Sequence, residues 1–263
     1  MKSVSPRGIC CGLVLLIPVT LAAARAANAQ QSDFAVPGES AVAPNSPVVA
    51  GPSVNEIVSR VLAENKRRNE RLQSYSVTRT YQIQTPEGKL AAQTVVRMDY
   101  RAPDAKTFEK TSEKGSGVVR HLVFDRLMDS ESESSTGKEH KDSALTPANY
   151  DFHFAGVEDV GPYHCFLLEV TPKRKDKYLF EGRIWIDSQD FAVAKIEGHP
   201  AKKPSFWINR ADFVREYQKV DEFWLPLRDE TQVDVKLYGK RVFTIDHGHY
   251  VVQGQGEGKT EIE

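Results

Sequence analysis

The spacing of apolar residues changes along the chain, and two stretches have the period of a helix. Between residues 53 and 72 apolar side chains recur every three to four positions, which predicts an amphipathic helix. Ser53 followed by Glu56 matches the capping box that begins many helices. The stretch SGVVRHLVFDRLMDSE, residues 116–131, has the same helical spacing and predicts a second amphipathic helix.

The remaining patterned stretches have the period of a strand. Residues 75–85 and 90–102 alternate around a PEGK turn and predict a hairpin, and residues 106–115 predict a third strand. Residues 148–160 predict a short element, and six more strand-like runs joined by short polar turns begin at residue 163. Neighbouring strands with short links pair antiparallel, and no βαβ alternation appears. The sequence therefore predicts an α+β fold that is mainly antiparallel β.

The two ends of the chain differ in composition from its centre. Residues 1–29 have a basic start, a short apolar run and a small-residue exit, which together predict a cleaved signal peptide. Residues 30–52 are rich in Ala, Pro and Val and predict a flexible leader. We expect one domain over residues 53–252 and a disordered tail over 253–263. An exported chain of this kind is expected in the periplasm.

Charge and cysteine content narrow the classes of partner. The signal peptide holds three basic and no acidic residues, so its removal changes the formal charge from −1 to −4. A mildly acidic chain argues against a nucleic-acid partner, which requires a basic face. Cys165 is the one cysteine left after cleavage, so an internal disulfide is excluded, and its apolar neighbours predict a buried thiol.

Candidate catalytic groups are few. Asp187 follows a strand-like run and precedes Ser and Gln, which predicts a turn residue rather than an acid catalyst. His247 and His249 are two apart on a predicted strand and would share a face, but a metal needs further ligands that the sequence does not identify. A hydrolase that uses these histidines and a carboxylate is the enzyme alternative. We expect no enzyme, no metal and no cofactor.

Aromatic residues concentrate in the second half of the predicted sheet, at Trp185, Phe206, Trp207, Phe223 and Trp224. Aromatic side chains in strands usually pack in a core. A large sheet covered by two helices could also enclose a cavity for an apolar ligand. Residues 163–231 also resemble the outer-membrane lipoprotein-sorting (LolA/LolB-like) superfamily. The matching motifs are Trp185-Ile186-Asp187, then Lys195-Ile196-Glu197, and a later run of Lys219, Val220, Asp221, Trp224, Leu225 and Pro226.

This resemblance implies an unclosed half β-barrel of about eleven strands covered by amphipathic helices. It implies a periplasmic carrier that holds lipid or lipoprotein acyl chains in an apolar cavity, with transient membrane contact. The alternative is an envelope signalling or protein-interaction module on the same scaffold, similar to the RseB regulator. The expected ligand-lining residues are Trp185, Phe206, Phe223, Val233, Val235 and Ile245. The expected lid residues are Val118, Leu122, Val123 and Leu127.

Overall fold

Antiparallel strands make up most of the molecule. The computed structural model describes residues 51–103, 105–133, 144–176, 178–203, 206, 208–236, 239–254 and 260–261. The strands are β1 (Leu72–Gln84), β2 (Leu90–Arg101), β3 (Ala105–Gly115), β4 (Tyr150–Val160), β5 (Tyr163–Pro172), β6 (Phe180–Asp187), β7 (Val193–Pro200), β8 (Ile208–Val220), β9 (Phe223–Val235), β10 (Gly239–Gly254) and β11 (Thr260–Glu261). The helices are α1 (Val54–Arg71), α2 (Gly117–Val119) and α3 (Arg126–Glu133). A π-helical turn, Arg120–Asp125, joins α2 to α3. We call residues 117–133 the segmented helix.

The strands form one open sheet in the order β3-β2-β1-β10-β9-β8-β7-β6-β5-β4, with β11 paired to β10. The chain first runs outward from β1 to the edge strand β3. It then crosses to the opposite edge at β4 and returns strand by strand to β10, which pairs with β1. Within the described ranges β3 and β4 do not pair, so the sheet is not closed.

Both helical elements lie on the same face of the sheet. Residues that pair directly across antiparallel strands point to one side, and the register links Ile245 to Asp229, Asp229 to Arg215, and Arg215 to Ile196. The segmented helix packs in the cluster that contains Ile245, and α1 packs in the cluster that contains Ile196. We call this side the helix face. The two elements cover different strands: α1 lies over β4–β8, and the segmented helix over β1, β2 and β10.

Local sequence explains where the helices begin. The Ser53 hydroxyl accepts the backbone N–H of Glu56 at 3.3 Å and caps α1, as the capping box predicts. The Ser116 hydroxyl accepts the N–H of Val119 in the same way at the start of the segmented helix. The predicted hairpin, the third strand and the six later strands are all present. The element predicted at 148–160 is a full eleven-residue strand, β4.

The proposed domain boundaries stay a prediction. The signal peptide and almost all of the leader lie outside the described residues, as does Trp207. In the predicted tail, Thr260 and Glu261 pair with Val252 and Val251 of β10. No helix among the described residues combines the length and the apolar character that a membrane span requires.

Candidate functional site

A groove of about 640 Å³ lies between α1 and the edge of the sheet at β4 and β5. This volume falls within the range of small-molecule sites, roughly 300–1,000 Å³. Its apolar lining comes from Val54, Val58, Pro147, Tyr150 and Phe152, and its polar lining from Asn55, Ser59, Asp151, His153, Thr171 and Lys173. The groove is therefore amphipathic, with apolar side chains from both a helix and a strand.

The groove forms where the helix face reaches the edge of the sheet. Ile57 and Val58 in the first turns of α1 are buried in the same cluster as Tyr150 of β4. The ammonium group of Lys173 donates to the carbonyl of Pro147 at 2.6 Å and lies 3.4 Å from the Asp151 carboxylate. These contacts hold the polar rim, while the apolar floor continues into the core under α1.

The segmented helix covers the other end of the helix face. Val123, Phe124, Leu127 and Met128 are buried against strand residues that include Tyr81 and Ile245. The ring of Phe124 lies 5.8 Å from that of Tyr81, in a tilted arrangement. Of the expected lid residues, Val123 and Leu127 face the sheet, Leu122 is half-buried, and Val118 is 69% exposed.

A buried polar network lies on the helix face beside this cluster. It consists of Arg79, Lys106, Glu131, Arg215, Asp229 and His247. The Glu131 carboxylate of the segmented helix lies 3.0 Å from Nη1 of Arg79 and 3.2 Å from Nζ of Lys106. The Asp229 carboxylate lies 3.3 Å from Nε of Arg215 and 3.1 Å from Nε2 of His247. The two groups of ion pairs also influence each other, because the charge of Arg79 lowers the pKa values of both Asp229 and His247.

Burial and neighbouring charges set the pKa values in this network. Burial lowers the pKa of His247, and the bond to Asp229 only partly offsets it. Burial opposes ionisation of Glu131, but Arg79 and Lys106 outweigh it, so the pKa of that carboxyl is lowered. The pKa of Asp229 is lowered in the same way: the bond from His247 and the charge of Arg215 overcome burial. The network therefore holds ionised carboxylates beside a neutral imidazole.

The expected ligand-lining residues lie in several places. Ile245 is in the cluster under the segmented helix, Phe223 is in a cluster with Val77 and Tyr250, and Val233 packs with Val235 at the far ends of β8 and β9. Phe206 is 76% exposed, with the Lys236 ammonium 3.5 Å from its ring centroid.

Trp185 lies on the side opposite the helix face. It pairs with Leu167 and Lys195 and clusters with Cys165 and Trp224. Cys165 is buried, as its apolar neighbours predict, and burial raises its pKa to about 12. The structure thus does not bring the six expected lining residues together, and none of them lines the groove.

The two candidate histidines do not share a face, and that prediction is wrong. His247 is buried beside Asp229, whereas His249 is exposed. His249 has a φ of 54°, and the pairing register of β1 with β10 shifts between Ser76 and Thr78, opposite this segment. The bulge breaks the strand's alternation, so spacing by two no longer implies a common side. No cluster of three or more His, Cys, Asp or Glu suited to a metal occurs among the described residues.

Asp187 terminates β6 and shapes the turn after it. Its carboxylate accepts the backbone N–H groups of Gln189 at 3.1 Å and Asp190 at 2.7 Å. Arg68 of α1 reaches the same turn and donates to the carbonyls of Asp190 and Phe191. Oδ2 of Asp187 is thus used by the turn, as its sequence context predicts.

Sequence reasoning missed the groove and the buried network. The groove had no signal, because it depends on where α1 crosses β4. The network did have a signal in the sequence. Arg79 lies at an inward-facing position of β1 between Val77 and Tyr81, and His247 lies two residues after Ile245. A charged residue at a core position of an alternating strand indicates a buried ion pair.

Several solved structures are similar to this chain. A LolA-superfamily protein from Nitrosomonas europaea is 11% identical, covering 76% of this chain and 93% of that chain, with a TM-score of 0.35. An outer membrane lipoprotein-sorting protein domain from Vibrio parahaemolyticus is 14% identical, covering 75% and 92%, with a TM-score of 0.42. The MucA/MucB complex of Pseudomonas aeruginosa is 11% identical, covering 72% of this chain and 93% of that chain, with a TM-score of 0.27.

The chain is thus similar to LolA-superfamily proteins and to MucB. No curated protein matches the chain. One family model, described as a family of unknown function (DUF5686), matches residues 82–251. This match spans more than half of the 263 residues and most of the sheet, and the chain therefore belongs to the DUF5686 family.

Proposed function

We propose that this protein binds the acyl chain of a lipid or lipoprotein in the groove between α1 and the edge strands β4 and β5. The observation that carries the proposal is the groove itself, with about 640 Å³ of space, an apolar floor and a polar rim. An amphiphile matches that division, since its chain would contact Val58 and Phe152 while its head group stays near Lys173.

Hydrophobic burial alone can supply the affinity of such binding, so no catalytic group is needed. Burial of each methylene contributes roughly 0.8 kcal/mol. About ten buried methylenes would contribute about 8 kcal/mol, which corresponds to a micromolar complex before ordering costs are counted. In this proposal the open sheet acts as a half-barrel covered by its helices, and the protein is exported to the periplasm by a cleaved signal peptide.

Filling the groove tests this proposal. Ser59 lines the groove and is exposed, so Ser59→Trp adds bulk without entering the core. Asn69 is an exposed residue of the same helix outside the groove, and Asn69→Trp is the matched control. In titrations with a fluorescent fatty acid, we expect Ser59→Trp to weaken binding at least tenfold and Asn69→Trp to leave it unchanged. Equal affinity in the two variants would contradict a site in the groove.

A second candidate is a protein-interaction module. Its support is the edge strand β4, where Phe154 is 51% and Val157 is 45% exposed. Edge strands with apolar side chains can accept a strand from another protein. Cross-linking in envelope extract should then trap a stoichiometric partner on the wild-type protein but not on Phe154→Lys. Glu109→Lys on the other edge strand, β3, is the control, and loss of the partner with that variant also would contradict a β4 interface.

A further inference from the structure

We propose that Arg79 and Lys106 form a carboxylate-binding site, which Glu131 of the segmented helix fills in this structure and which the carboxylate of an apolar ligand can take over. The two cations come from β1 and β3, and the Glu131 carboxylate bridges them at 3.0 and 3.2 Å. This site is separate from the groove, and the inference does not rest on it.

The Arg79 side chain is built into the fold as a binding group. It is almost fully buried, and its Nη1 also donates to the Tyr81 hydroxyl at 3.2 Å. Its guanidinium carbon lies 5.8 Å from the centroid of the Phe108 ring. Its Nε is buried and has no hydrogen-bond acceptor in the described part of the chain. A guanidinium presents donors in a fork that a carboxylate can accept in pairs, so Arg79 has donor capacity that Glu131 leaves unused.

The charges around the site are compatible with an exchange of carboxylates. The network contains three cationic side chains, Arg79, Lys106 and Arg215, and two carboxylates, Glu131 and Asp229. A ligand carboxylate in the place of Glu131 would keep the ion pairs with Arg79 and Lys106, so the exchange leaves neither cation without an anion.

Glu131 lies at a position from which its side chain can be displaced. It lies in the last turn of α3, which ends at Glu133, and helix ends open more readily than helix centres. The same element contains a π-helical turn, a feature that often occurs at functional sites. Displacement of Glu131 therefore requires only the terminal turn to move, while Val123 and Leu127 stay packed on the sheet.

The surroundings of the site indicate what carries the carboxylate. Phe108 lies beside Arg79, is partly exposed and packs against the apolar cluster under the segmented helix. A hydrocarbon attached to the carboxylate would contact the Phe108 ring, whereas a free small anion would contact only Arg79 and Lys106. We therefore infer a fatty-acid-like ligand.

Two variants of the segmented helix test the inference. Glu131→Gln frees the two cations, whereas Asp125→Asn removes another ion pair of the same element, with Lys110 at 2.7 Å, and leaves Arg79 occupied. Calorimetric titrations use oleate, monoolein as the uncharged analogue, and acetate as the free carboxylate. We expect Glu131→Gln to bind oleate at least tenfold more tightly than the wild type and Asp125→Asn, with no change for monoolein. Adding Arg79→Gln to Glu131→Gln should abolish the gain.

Each outcome decides the inference. If acetate competes with oleate in Glu131→Gln, the site accepts a free carboxylate; if it does not, the hydrocarbon is required, and both results support a carboxylate site. Equal gains for monoolein, equal gains in Asp125→Asn, or no gain would overturn it. If Glu131→Gln fails to fold, Lys106→Gln is used, since Lys106 is partly exposed. That variant should then weaken oleate binding severalfold and leave monoolein binding unchanged. The groove proposal fails separately, if Ser59→Trp has no effect on the wild-type titration.

Discussion

The indole Nε1 of Trp224 donates a 2.9 Å hydrogen bond to Oδ2 of Asp190. Asp190 lies in the turn after β6, and Trp224 lies near the start of β9. The same Asp190 carboxylate lies 2.6 Å from Nζ of Lys219. The turn after β6 and the strand ends that contain Lys219 and Trp224 therefore meet at one carboxylate, which gives these side chains a structural role in joining distant strands.

We expect Asp190→Ala to lower the free energy of unfolding by about 1–3 kcal/mol, because it leaves the Trp224 indole N–H without its acceptor. Urea denaturation measures this change. Asp212→Asn is the control, since Asp212 pairs with the highly exposed Arg210 and such surface pairs contribute little. A loss in Asp190→Ala no larger than in the control would contradict the joining role.

Asp187 provides a second test in the same turn. Because its carboxylate accepts two backbone N–H groups, we expect Asp187→Ala to cost about 1–2 kcal/mol of unfolding free energy. Asp187→Asn keeps an acceptor oxygen and should cost less. Equal losses in the two variants, measured by the same denaturation, would argue against hydrogen bonding by this side chain.

Acid should destabilise the fold through His247. Burial lowers the pKa of His247 from its ordinary 6.5, so the unfolded chain takes up this proton first and the free energy of unfolding falls as pH decreases below about 6.5. One group contributes a slope of at most about 1.4 kcal/mol per pH unit. The lowered pKa values of Glu131 and Asp229 remove further stability only below their ordinary values of 4.5 and 3.8.

The matched variant for this prediction is His247→Gln. Thermal denaturation from pH 8 to pH 5 should show a steeper loss in the wild type than in the variant between pH 6.5 and 5. Parallel curves would show that His247 does not stay neutral in the folded protein. Exposed histidines are common to both proteins, so their contribution cancels in the comparison.

The segmented helix gives a packing prediction. Leu127 is fully buried against the sheet, so Leu127→Ala should cost about 2–5 kcal/mol of unfolding free energy. Val118→Ala, on the exposed side of the same element, should change it by less than about 0.5 kcal/mol. Similar values for the two variants would mean that this helix does not pack on the sheet as described.

Local signals explain why the elements were predictable. Periods of 3.6 and 2 marked α1, the segmented helix and most strands, and polar turns separated them. β4 was harder to recognise, because at the edge of the sheet most of its side chains are exposed and Tyr150 is the only fully buried one.

Which side chains from different elements pack together was harder to predict from the sequence. Trp185 and Phe223 both lie in strands with several aromatic residues, yet they belong to different clusters. The side of the sheet on which each side chain lies depends on strand register and on bulges, and the local sequence reveals neither. The prediction that His249 shares a face with His247 was wrong for the same reason, because β10 has a bulge at this position. Arg79 carried a usable signal, namely a charge at an inward position, but its partner Glu131 is 52 residues away and only the fold brings them together.

The most direct test of the groove as the ligand site is a map of where a bound acyl chain lies. A photoreactive fatty acid would be cross-linked to the wild-type protein and the labelled residues identified by mass spectrometry. We expect labels in the first turns of α1, at residues 54–59, and in β4 at residues 150–153. No specific labelling, or labels confined to other parts of the chain, would contradict it.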